Sequence, residues 1–230
     1  MKKAGVVVFP GSNCDQDLVD GLSHSGFEKV VKLWHKQSDL EGCDVVFLPG
    51  GFSYGDYLRS GAIAGFSPIM KEVSQFASKG GYVVGICNGF QILTEAGLLP
   101  GALLRNKDLL FICDYINLTT AANDTAITKS LSKDKIYKIP IAHGEGRYFA
   151  KQAELELLNA NSQIIFKYVD EDGNPTEQAN PNGSLENIAG VCNKERNVFG
   201  MMPHPERVVD PRLGNSDGKH ILSSFRTFLG

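Results

Sequence analysis

The sequence predicts an α/β fold: a mixed, mostly parallel sheet flanked by helices, with an additional antiparallel portion late in the chain. Three observations carry this. Strand-like and helix-like segments alternate through the first hundred residues. The strand segments are continuously apolar rather than alternating, as strands covered on both faces are. The second half then turns to strand patterns separated by tight turns, with little helix. At 230 residues and 42% hydrophobic, the chain can bury one sizeable core. It has no internal repeat and no low-complexity linker, so a single domain over 1–230 is the simplest reading.

Taken in order, Gly5 to Phe9 reads as a first strand and Asp15 to Ser25 as a helix stopped by Gly26. Val30 to Trp34 and Asp44 to Leu48 are further strands, the latter ended by Pro49-Gly50-Gly51. Ala62 to Ser78 is expected as one long helix closed by Gly80-Gly81. Tyr82 to Ile86 is a fourth strand, followed by a helix that stops at Gly97. From Leu109 to Ile141 the pattern is strand-like, with turns at Asn123-Asp124 and Lys133-Asp134. Lys151 to Ala160 reads as a helix and Gln163 to Val169 as a strand entering the turn at Asp172-Gly173. Strands follow at Ile188 to Cys192 and Val198 to Met202, and Asp217 to Leu229 closes the chain as an amphipathic helix.

Bulk properties remove several function classes. A net charge of -3 and a pI near 6.0, with no Lys/Arg cluster, argue against a nucleic-acid surface. No run of 18 apolar residues exists to span a membrane. The apolar stretch after Met1-Lys2-Lys3 is too short for a signal peptide. The 5 cysteines are widely spaced without a C-x-x-C pair, which fits a reducing cytoplasm and neither a disulfide framework nor a zinc site. The histidines lack metal-ligand spacing, so no metal is expected. Asp170-Glu171-Asp172-Gly173-Asn174 hints at a calcium loop, but Pro175 stands where glycine is needed. No Walker loop is present, so this chain is expected to carry no cofactor.

Chemistry concentrates at two places. In Gly85-Ile86-Cys87-Asn88-Gly89 a cysteine stands between glycines where a strand turns into a helix. Such an elbow pushes a nucleophile out of the chain, and the helix N-terminus favours a thiolate. Taken alone, Cys87 reads equally well as a small buried hydrophobe. Far downstream, Met202-Pro203-His204-Pro205-Glu206 offers an imidazole and an orienting acid. If the segment is extended, side chains two apart share a side, so Glu206 reaches the ring of His204. Two rivals stay open. Cys14 also follows a strand and opens a helix, but Asp15 beside it disfavours a thiolate. His143 is an alternative base that lacks so clear an orienting acid.

The set Pro49-Gly50-Gly51, Gly85-Ile86-Cys87-Asn88-Gly89-Phe90-Gln91 and His204-Pro205-Glu206 resembles the class I, triad-type glutamine amidotransferases. Longer segments, Pro10 to Asp15, Gly50 to Ala64, His143 to Tyr148 and Met202 to Arg207, resemble the branch that serves purine biosynthesis. The resemblance runs from Lys3 to about Leu229. It implies a flavodoxin-like fold and a glutaminase with Cys87 as nucleophile and His204 and Glu206 as its partners. It further implies backbone oxyanion donors at Gly51 and Asn88, with Gln91 and Gly50 near the glutamine. Tyr54, Asp56, Arg59, Ser60, His143 and Arg147 are implied as residues of the pocket mouth or of a subunit interface. The chain lacks an ATP site, so the resemblance places ATP and magnesium on a separate synthetase subunit, joined by a small third subunit. Ammonia would pass to that partner through a sealed channel, because free ammonia protonates at neutral pH. A related cysteine hydrolase and a non-catalytic binding module are the competing classes; the first needs no partner and the second has no need of the triad.

Overall fold

In the computed structural model, which describes residues 2–229, eleven strands and five α-helices follow one another. They are β1 (Lys3–Val8), α1 (Asp15–His24), β2 (Lys29–Trp34), β3 (Val45–Leu48), α2 (Pro68–Ser78), β4 (Tyr82–Ile86), α3 (Asn88–Glu95), β5 (Ala102–Leu104), β6 (Ile112–Thr120), β7 (Tyr137–His143), β8 (Arg147–Phe149), α4 (Gln152–Ala160), β9 (Ile164–Val169), β10 (Ile188–Cys192), β11 (Val198–Met201) and α5 (Asp217–Leu229). Nine strands form one sheet in the order β2-β1-β3-β4-β11-β10-β9-β6-β7, and β5 pairs with β8 apart from it. The pairings from β2 through β11 are parallel, and those from β11 to β7 are antiparallel. The predicted mixed sheet is therefore present, parallel on one side and antiparallel on the other.

The apolar composition of the central strands explains their position. Every residue of β3, β10 and β11 is buried, so both faces need cover. Successive residues of β11 show how it is supplied: the Phe199 ring meets Phe225 of α5 edge-on at 5.6 Å. Gly200, facing the other way, lies against Phe90 of α3. One contiguous buried cluster runs from Ala4 to Phe225 through parallel and antiparallel halves alike.

One expectation is corrected. The long helix over Ala62 to Ser78 is broken into a 3-10 turn, Ala64–Phe66, and α2. Pro68 is the cause: it disfavours helical backbone at Ser67, which is extended at ψ 144°, and itself takes the first helical position. The region Leu109 to Ile141 is strand-like without helix, as expected: it holds β6 and β7, with turns, bends and irregular backbone over residues 121–136 between them.

Register decides where the chain's chemistry lands. Leu48 of β3 pairs with Gly85 of β4, and Gly85 pairs with Gly200 of β11. The three strands finish level, so Pro49-Gly50-Gly51, Cys87 and Pro203-His204 leave the sheet side by side. This is the carboxyl edge, where open α/β sheets hold their ligands.

Helix α3 approaches that edge closely because of Gly89. A Cβ there would stand 2.0 Å from the Leu48 carbonyl oxygen, and backbone cannot yield as a side chain can. Gly89→Ala should lower unfolding free energy by about 3 kcal/mol in denaturant titration, at the upper end for overpacking. Gly65→Ala, with open space around its Cβ, is the matched control and should change it little. Equal effects would contradict this packing.

Candidate active site

Cys87 has φ 51° and ψ -106°, a left-handed conformation that costs a non-glycine residue about 1–3 kcal/mol. It is held there from both sides. Its N–H donates to the Met201 carbonyl at 2.8 Å, and its own carbonyl accepts the first helical bond of α3, from Gln91 N–H at 3.1 Å. The thiol therefore stands at the strand-to-helix elbow, 5% exposed, and donates to the Ala142 carbonyl at 3.7 Å.

His204 follows β11 and is anchored by its N–H to the Pro140 carbonyl at 2.9 Å. Its Nδ1 and Glu206 Oε1 are 2.6 Å apart, both side chains 1% exposed. Glu206 reaches the ring around the 3-10 turn Pro205–Arg207, not along the extended segment that residue spacing suggested. The contact is as expected and the geometry that makes it is not. Burial opposes charge on the imidazole. The Glu206 carboxylate and then the Cys87 sulfur outweigh it and lift His204 to about 10. With Nδ1 committed to Glu206, Nε2 is the atom left for proton transfer, buried and without a hydrogen bond.

A cavity of about 160 Å³ opens on this cysteine, walled by Gly51, Phe52, Asp56, Ser60, Cys87, Gln91, Phe111, Ala142, His143, Gly144 and Glu145. Drug-sized ligands fill roughly 300–1,000 Å³, so this volume suits a single small metabolite. A larger cavity, about 1010 Å³, lies instead at the amino ends of β4 and β11, and its wall has neither cysteine nor histidine. Among the described residues the N–H groups of Gly51 and Asn88 donate to no protein acceptor, so both are available to an oxyanion. Gly51, at φ 131°, is suited to the turn that presents its N–H.

The Asn88 side chain ties the parts together. Its Oδ1 accepts from Ser53 N–H at 3.0 Å, while its Nδ2 donates to Asp56 at 3.1 Å and to Gln91 Oε1 at 2.9 Å. Gln91 in turn donates to the Glu145 carbonyl at 2.6 Å. Burial, with the Glu145 carboxylate adding to it, raises the Asp56 pKa against the hydrogen bonds from Ser60 and Asn88. Asn88 and Ser53 carried no sequence signal for this clamp, since an asparagine side chain after a nucleophile has many possible partners.

The remaining expected residues separate into two groups. Asp56, Ser60, Gln91 and His143 line the cavity with Cys87. Gly50 does not line it; it backs onto the His204 ring. Tyr54 turns away to His35 Nδ1 at 2.7 Å, Arg59 pairs with Glu95, and the Arg147 side chain packs by Gly183. The rivals also lose ground. Burial raises Cys14 to about 11 despite Arg207 beside it, so its thiol keeps its proton at neutral pH. His143 is 3% exposed, with Nδ1 3.1 Å from Asn106 Oδ1 and Nε2 3.5 Å from Asn182 Nδ2. Those partners define a neutral tautomer with the proton on Nδ1. Among the described residues no group of three or more His, Cys, Asp or Glu is arranged to hold a metal.

Burial, with the nearby His204 charge, lowers His143 to about 4, below the 6.5 of a free imidazole. Its stabilisation is therefore complete above pH 6.5 and is lost as pH falls through 4. It amounts to about 3 kcal/mol at most by linkage. In denaturant titrations from pH 7 to 4, His143→Gln should lose this part of the acid slope. An unchanged slope would contradict the assignment.

Comparison with known proteins gives the family. Residues 1–220 match the family model described as CobB/CobQ-like glutamine amidotransferase domain. Phosphoribosylformylglycinamidine synthase subunit PurQ of Koribacter versatilis (strain Ellin345) is 54% identical over 222 residues, covering 96% of each chain. The same-named protein of Moorella thermoacetica is 56% identical over 222 residues, covering 96% of this chain and 94% of its own. In the solved structure of PurLQS from Thermotoga maritima, one chain superposes with a TM-score of 0.88 at 42% identity, covering 100% of this chain and 99% of that one. The chain belongs to the CobB/CobQ-like glutamine amidotransferase family and, within it, to the phosphoribosylformylglycinamidine synthase subunit PurQ group.

Proposed function

We propose that this chain is the glutaminase subunit of phosphoribosylformylglycinamidine synthase, acting as one domain in the cytoplasm. It hydrolyses glutamine and hands the ammonia to a separate synthetase. That subunit, with ATP and magnesium, converts formylglycinamide ribonucleotide to formylglycinamidine ribonucleotide in purine biosynthesis. The observation that carries the reading is the strained Cys87 elbow facing a small cavity, with the buried His204–Glu206 pair behind it.

The chemistry follows from the geometry. The Cys87 thiol turns from the Ala142 carbonyl, gives its proton to His204 Nε2, and the sulfur attacks the side-chain amide carbon of glutamine. The amide oxygen takes the negative charge and accepts from the N–H groups of Gly51 and Asn88; losing one such donor costs on the order of 100-fold or more in rate. The tetrahedral intermediate collapses as His204 gives the proton to the departing nitrogen, releasing ammonia and leaving a glutamyl thioester. Water then gives a proton to His204 and attacks the thioester; glutamate leaves and the thiol is restored. Glu206 holds the ring in one tautomer and balances its charge. Gln91 and the backbone near Gly50 support the pocket wall; this chain supplies no cofactor.

The cavity mouth has an apolar rim that a lone enzyme would have no use for. Phe52 and Phe111 line the cavity with their rings 6.4 Å apart, and their chain neighbours Tyr57, Leu58, Leu109 and Leu110 are exposed, Leu58 at 93%. Exposed apolar patches of this kind mark protein contacts, and we assign this one to the synthetase, with the small third subunit completing the assembly. The backbone beneath supports a coupling role. Tyr54, Asp56 and Leu58 all have φ between 53° and 69°, and Asp56 connects the strained loop to Asn88.

Glutamate release with and without the synthetase tests the reading. Cys87→Ala should abolish release while the assembled enzyme still uses added ammonia. Leu58→Asp should spare the partner-free rate and lower partner stimulation by about tenfold, the equivalent of about 1.4 kcal/mol of docking. Partner-independent activity that Leu58→Asp leaves untouched would favour a free-standing cysteine hydrolase instead.

A further inference from the structure

Arg207 ends the turn that carries His204 and Glu206, and the reaction above leaves it without a task. Its Nη2 donates to the Cys14 sulfur at 2.9 Å. Its Nε is buried without a hydrogen bond and lies 3.8 Å from an Asp17 carboxylate oxygen. Among the described residues, the Cys14 sulfur is thus the one hydrogen-bond acceptor of this guanidinium. Cys14 is the N-cap of α1, and its N–H donates to the Gly50 carbonyl at 3.4 Å. A Cβ on Gly50 would stand 3.4 Å from the Cys14 sulfur and 2.6 Å from His204 Cε1. Gly50 therefore lies against both, and a side chain there would collide with the His204 ring.

These contacts close a circuit. Arg207 grips Cys14, Cys14 backs Gly50, and Gly50 touches the His204 ring. The Arg207 N–H returns to the His204 carbonyl at 3.3 Å. Gly51, whose N–H is directed to the oxyanion, is the next residue after Gly50.

We propose that Arg207 is a positioning residue of the glutaminase reaction, holding Cys14 against Gly50 so that the Gly51 N–H and the His204 ring keep a fixed relation. The proposal rests on the glutaminase reading. A guanidinium suits the task because it cannot lose its charge. The thiol it grips stays protonated and does not compete with Cys87. Loosening the circuit leaves the substrate pocket intact and disturbs only the alignment felt in the transition state, where small displacements are costly.

The test uses the chain assembled with its synthetase partner, with active sites counted by complete alkylation of Cys87 by 6-diazo-5-oxo-L-norleucine. Arg207→Gln should lower glutaminase kcat per counted site by about 10- to 100-fold, with KM for glutamine within about threefold. Cys14→Ala should show the same split. Cys14→Ser, whose hydroxyl accepts the same N–H, should stay within about threefold of wild type, and the Cys14→Ala/Arg207→Gln double variant should be no worse than either single one. Unchanged kcat per counted site in both single variants, with only fewer active sites or a lower Tm, would reduce the circuit to a fold support and overturn the proposal. Losses that multiply in the double variant would also overturn it, because the two residues would then act separately. Wild type without Cys87-dependent glutamate release would show the underlying reading to be wrong before any variant is compared.

Discussion

The backbone of Cys87 is the constraint on which the site depends, because its left-handed conformation turns β4 into α3 within one residue. Had the residue relaxed into an ordinary conformation, the thiol would point elsewhere and α3 would leave the sheet in another direction. The strain persists because surrounding structure over-determines it. The Met201 carbonyl holds the Cys87 N–H, and α3 is pressed on β3 where Gly89 allows it. The parallel half of the sheet supplies that rigidity, since β3, β4 and β11 are hydrogen-bonded in register up to the point where the chain leaves them.

Around this fixed point, burial sorts chemically similar groups into different tasks. Cys14 and Cys87 are both buried. Both stand at helix starts, but Cys14 meets desolvation with only Arg207 to oppose it, whereas Cys87 faces an imidazole. His143 and His204 are likewise both buried. One is surrounded by amides and stays neutral; the other has a carboxylate at 2.6 Å and holds a proton readily. On the proposed reading, a structural and a reactive member of each pair are distinguished by their neighbours: Glu206, two residues on, for His204, and residues far along the chain for the others.

Much of this was legible in the sequence, for reasons that can be stated. The alternation of apolar strands and helices is a local signal, and Gly50-Gly51 and Cys87 each follow a strand in it; His204 was joined to them by a cysteine's need for a base and by the family resemblance. The His204–Glu206 pair was legible because only one residue separates the two, although the turn that joins them was not. What the sequence withheld was long-range. The Asn88 clamp on Ser53 and Asp56 and the Arg207–Cys14 contact join segments far apart in the chain, and neither end has a residue type that announces its partner. The break at Pro68 was available from the sequence and lay inside an otherwise helical pattern. The small β5–β8 sheet, three residues per strand, is too short to leave a periodic signal.

The most direct test of this account is to find where the acyl group sits during turnover. The enzyme, mixed with glutamine and its synthetase partner and quenched in acid, would be digested and its cysteine peptides weighed by mass spectrometry. The account predicts a glutamyl adduct on Cys87, labile to hydroxylamine and absent from Cys14, Cys43, Cys113 and Cys192. An adduct on another cysteine, or steady glutamate release by Cys87→Ser with no adduct anywhere, would contradict it.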